Sequence, residues 1–82
     1  MAIDGAGPAR LAKKMLESLV KDLNLLPGDF VYEKPLWTAF TTRGHTVDEI
    51  DGGLDHAMQR GWLILDLVQR TYTLTQAGFE IV

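Results

Sequence analysis

At Gly61 the spacing of the apolar residues changes from that of a helix to that of a strand, and this limits the possible folds more than any other feature. Upstream, Val47, Ile50, Leu54, Ala57 and Met58 fall on one stripe of a helix turning about 100° per residue. Thr46 is placed to cap that helix, and Glu49, three residues on, completes a capping box. Downstream, WLILDLVQRTYTLT (residues 62–75) reads as two strands with a turn near Val68–Thr71. Glycine accepts the positive φ that ends a helix in a left-handed residue. A chain that makes this change combines helices with an antiparallel hairpin, which is the α+β class.

The rest of the chain fits around that unit. Leu11, Met15, Leu19 and Leu23 recur every fourth residue, with Ala12, Leu16 and Val20 beside them, so an amphipathic helix is expected over 8–24. Pro8 suits its first turn, Asn24 its end, and Pro27-Gly28 stop it. DFVYEKPL (29–36) predicts an extended stretch or short strand. A short helix over 35–43 follows, burying Leu36, Trp37 and Phe40, and Arg43-Gly44-His45 forms the turn. QAGFEIV (76–82) predicts a single helical turn. The whole of 1–82 reads as one domain, with 1–7 as a flexible start.

The order helix, strand, helix, helix, strand, strand resembles a winged helix-turn-helix. Two segments sharpen the likeness. DHAMQRGWLIL, through Leu54, Met58, Arg60, Gly61, Trp62 and Leu63, looks like a recognition helix running into the first wing strand. YTLTQAGFEI, through Tyr72, Leu74, Thr75 and Gly78, is similar to the YxLTxxG segment that leaves the wing in MarR- and PadR-type bacterial regulators. The resemblance covers about residues 8–82. It implies a winged helix-turn-helix of three helices and a C-terminal β-hairpin wing, with room for a short third strand. It also implies a binding module, usually for DNA, whose third helix lies in the major groove while the wing touches the backbone.

The charges point elsewhere. The chain carries a net −3, and residues 47–60 supply all of it: Asp48, Glu49, Asp51 and Asp55 against Arg60 alone. DNA binding depends on neutralising phosphates with Lys and Arg. The groove-facing stripe would be Asp48, Gly52, Asp55 and Gln59, of which only Gln59 can donate to a base. The wing offers Arg70 as its sole base. Acids near the start of a helix also have a plain structural reason, since the dipole favours them there.

Catalytic chemistry finds little support. There is no cysteine, which removes disulfides, thiol nucleophiles and Cys-based zinc sites. Ser18 is the only serine and has no histidine near it in sequence. His45 with Asp48 or Glu49, and His56 with Asp55, match no recognised metal spacing. Gly5-Ala6-Gly7 lacks the strand before it and the third glycine of a nucleotide-binding turn. No catalytic residue, metal, cofactor or small-molecule substrate is expected. No apolar run nears the ~18 residues of a membrane helix, and no secretory leader opens the sequence, so a cytoplasmic protein without membrane contact is expected.

Two features ask for a partner. Gly52-Gly53 inside a helix cost about 1 kcal/mol each relative to alanine. They mark either a kink or a smooth patch where another backbone comes close. In WLILDLV, Leu63, Leu65 and Leu67 share one face and Trp62, Ile64 and Val68 the other, so one apolar face needs a cover from the first helix or from a partner. The expectation is a non-enzymatic module for protein–protein contact or homodimerisation, working through Asp48, Gly52, Asp55, Gln59, Trp62 and Ile64. The alternative is a DNA-binding transcription regulator using Arg43, Thr46, Gln59, Arg60 and Arg70.

Overall fold

The structure, a computed structural model, describes residues 6–82. The flexible start expected for 1–7 falls largely on residues 1–5, outside the described residues. Helix α1 spans Ala6–Glu17 and continues into a wider π-helical turn, Ser18–Asp22. Next come β1 (Phe30–Tyr32), α2 (Glu33–Thr42), α3 (Val47–Gln59), β2 (Leu63–Asp66), β3 (Thr71–Leu74) and α4 (Gln76–Glu80). The described residues thus form an α+β unit of four helices and one antiparallel sheet of three strands, ordered β1-β3-β2.

Two helices start before the proline that was expected to open them. Ala6 and Gly7 are helical ahead of Pro8, and Glu33 and Lys34 ahead of Pro35. Each proline still lies in a first turn, where its missing N–H leaves no helical bond unmade. In α1 the final turn widens, with Leu23 N donating to Ser18 O at 3.2 Å, and Asn24 follows in the left-handed region at φ 57°. Leu23 therefore falls past the last helical residue and is exposed, contrary to its place in the fourfold stripe.

The third helix is continuous through Gly52-Gly53, so the glycines do not split it into two. The capping box is complete: Glu49 N donates to Thr46 Oγ1 at 3.1 Å, and Thr46 N to Glu49 Oε1 at 2.8 Å. Ile50, Leu54 and Ala57 are buried. Val47 shares their stripe by angle but sits at the first helical position with no element over it, and is exposed.

Strand pairing completes the core. Phe30 aligns with Thr73 and Val31 with Tyr72, while Leu63 aligns with Leu74 and Leu65 with Tyr72. Alternation puts Val31, Leu63, Leu65, Tyr72 and Leu74 on the face toward the helices, where they join Met15, Leu16, Phe40, Ile50 and Leu54. Gly61 has φ 76°, as the turn from helix to strand requires. Thr75 then locks the exit of the hairpin to that turn. Its Oγ1 donates to Gly61 O at 2.6 Å and lies 3.0 Å from Trp62 O, while also accepting from Gly78 N at the start of α4.

Candidate functional site

Of the stripe on α3, Asp48, Asp55 and Gln59 are exposed and Gly52 is half-buried. Asp55 accepts from Gln59 Nε2 at 2.9 Å, an i,i+4 bond along the helix. That bond also occupies the amide expected to reach a base or partner. Asp48 lines a groove of about 250 Å³ between the starts of α1 and α3, together with Arg10, Leu11, Lys14 and His45. Glu49 is spent on the capping box, and its hydrogen bonds to Thr46 hold its carboxyl below the usual value.

The two glycines differ. A Cβ at Gly53 would meet the Leu11 side chain at 3.2–3.4 Å, so this residue lets α1 lie close against α3. The backbone that comes close there is the chain's own. A Cβ at Gly52 would meet nothing within 4 Å. Nothing in the packing explains a glycine at that position.

The five DNA-directed candidates do not converge on a basic surface. Arg43 lies 4.7 Å over the Phe40 ring and reaches Ser18 Oγ at 3.3 Å and Asp22 Oδ2 at 3.5 Å. Arg70, at φ 60° in the hairpin turn, pairs with Glu33 Oε1 at 3.2 Å. Thr46 serves the capping box and Gln59 bonds Asp55. Arg60 is exposed at the end of α3. Exposed pairs of this kind contribute only about 0–1 kcal/mol, so they could be exchanged for phosphate contacts. The neighbouring carboxylates are the larger obstacle, at about 1 kcal/mol for each close charge pair even in water.

The hairpin after Gly61 does expose apolar residues, but not all those that the sequence suggests. Trp62 precedes β2 and packs inward against the core, edge-on to His56 with ring centroids 5.5 Å apart. It does not join Ile64 on the outside. Leu67 and Val68 belong to the hairpin turn and not to the strand, so neither keeps the alternation, and they are 71% and 93% exposed. Ile64 does face outward, at 59% exposed. The first helix does not cover it.

Strand β1 adds what the sequence reading missed. Phe30, Thr73 and Ile64 form one row across the sheet, and Tyr32, Thr71 and Asp66 the next. Phe30 and Tyr32 stand on the outer face at 48% and 56% exposed, with their rings edge to face 5.6 Å apart. The alternation of FVY was the available signal, but it could be used only once β1 was known to pair with β3.

Behind this face, Tyr72 is buried and its hydroxyl is pushed up by loss of solvent, with Glu33 and Asp51 adding to the rise. The Trp37 indole opposes it, though Nε1 is buried without reaching hydrogen-bond geometry to any acceptor. Among the described residues, no three histidine or acidic side chains come together as metal ligands, and no helix is long and apolar enough to cross a membrane. No protein-family model, no curated protein and no solved structure matches the chain.

Proposed function

We propose that the chain is a non-enzymatic binding module of winged-helix type that contacts protein through the outer face of its sheet and its acidic third helix. The observation that carries this reading is the exposure of Phe30, Tyr32 and Ile64 on the outer face of the sheet, with Leu67 and Val68 also exposed in the hairpin turn, none of them covered by the chain's own helices. Large apolar groups gathered on one face are the usual mark of an interaction surface. The element order, the capped α3 and the hairpin after Gly61 support the winged-helix part of the reading.

A second reading, a winged-helix DNA regulator, is favoured by the position of α3 as second helix of a helix-turn-helix, with Arg60 at its exposed end. Charge weighs against it, because the exposed side of that helix carries Asp48, Asp51 and Asp55. Titration of labelled random-sequence duplex at low salt separates the two. The expected result is no saturable binding. Saturable binding that weakens steeply with added salt would replace the protein-contact reading with the DNA one.

A further inference from the structure

We infer that the groove between the starts of α1 and α3 binds a small zwitterion with an apolar side chain, of which a free amino acid such as leucine is the type. This goes beyond the protein-contact reading and does not depend on it.

Gly52 is the observation that leads there. Glycine weakens the interior of a helix, and a Cβ at this position would meet nothing within 4 Å. Packing therefore gives no reason for it, unlike Gly53, which lies against Leu11. Gly52 lines the groove and is half-buried there, so a side chain at this position would take up room that an occupant can use.

Size and charge name the occupant. The groove holds about 250 Å³. An apolar cavity of about 150 Å³ takes up benzene, whereas drug-sized ligands need about 300–1,000 Å³. One apolar side chain with its backbone atoms falls between these limits. Its apolar part would lie against Pro8 and Leu11. Arg10 and Lys14 stand on the α1 side and Asp48 on the α3 side, all exposed. Among the described residues no ion pair joins the two sides, because the one at this end, His45 Nδ1 to Glu49 Oε1 at 4.0 Å, stays on the α3 side. A carboxylate is thus matched to one wall and an ammonium to the other. A phosphate would be repelled by Asp48 and Glu49, and a simple cation by Arg10 and Lys14, so neither suits the groove as well.

Amide NMR of the isotope-labelled full chain, titrated with L-leucine, tests this. The expected result is saturable shifts in the millimolar range, centred on Leu11, Asp48 and Gly52. Leucinamide lacks the carboxylate and isocaproate lacks the ammonium. Each should bind about threefold or more weakly, the scale of an exposed charge contact. Gly52→Leu fills the groove and should abolish the shifts, with circular dichroism reporting the fold. Asp48→Asn, at an exposed position, serves if that variant does not fold, and should bring leucine down to the affinity of isocaproate. No saturable shift with L-leucine overturns the inference and leaves the groove to a side chain of a partner protein. Equal binding of the three probes overturns it too, since apolar contact alone would then act. So do shifts that survive both substitutions.

Discussion

The Cα of Gly78 in α4 faces the main-chain carbonyl of Trp62, at the junction of α3 and β2, so closely that a Cβ at 78 would overlap it. Thr75 bridges the same two segments through Gly61 O, Trp62 O and Gly78 N. Gly78→Ala must therefore push α4 away from the start of the hairpin. A loss of about 1–3 kcal/mol is expected, as for other overpacked sites, read as a lower midpoint in urea. A variant as stable as the parent would show that α4 is not held at this contact.

The adjacent glycines of α3 are expected to respond differently. Gly52→Ala gains helix propensity in open space and should stabilise by about 0.5–1 kcal/mol. Gly53→Ala gains the same propensity but presses on Leu11 at 3.2–3.4 Å, so it should end less stable than Gly52→Ala. Equal midpoints for the two variants would mean that Leu11 moves aside freely.

Thr46→Ala removes the acceptor for Glu49 N, and a cost of about 1 kcal/mol is expected. The reciprocal bond, in which Glu49 Oε1 accepts from Thr46 N, together with the Thr46 side chain, depresses the Glu49 carboxyl below its ordinary value of 4.5. A depressed carboxyl contributes stability that is fully present above the unfolded value and is lost as pH falls through the lower, folded one. Acid titration of Glu49→Gln should therefore show a shallower decline below that value than the parent. Parallel curves would refute the assignment.

At the alkaline end the sign reverses. Burial raises the Tyr72 hydroxyl above its ordinary 10.0, so its contribution is present below that value and lost as pH rises through the folded one. Tyr72→Phe should hold its stability further into alkali than the parent, measured by thermal unfolding at increasing pH. Identical alkaline limbs would show that this hydroxyl is not the group that titrates.

Much of the candidate surface could be read from residues close together in sequence. Asp48, Gly52, Asp55 and Gln59 lie on one helix, and helical spacing alone puts them on its outer side, where Asp48, Asp55 and Gln59 are exposed and Gly52 is half-buried. Ile64 was legible for the same reason, from the alternation of its strand. Phe30 and Tyr32 were not, because three residues of β-prone chain do not reveal which strand they will join. Trp62 was misplaced because alternation was extended to a residue that lies before the strand begins.

The element order, the Thr46–Glu49 cap, the left-handed Gly61 and the cap at Thr75 were determined by the sequence itself, since each depends on groups within a few residues. Tertiary structure decided what is covered. Leu23 and Val47 share apolar stripes with buried neighbours and are still exposed, because no distant element reaches them. Gly53 is buried under Leu11 of α1, whereas Gly52, half-buried at the edge of the groove beside α1, has open space where a Cβ would stand. Local hydrogen bonds choose the elements, whereas burial is a property of what the rest of the chain places opposite, and that is why the uncovered sheet face emerged only from the fold.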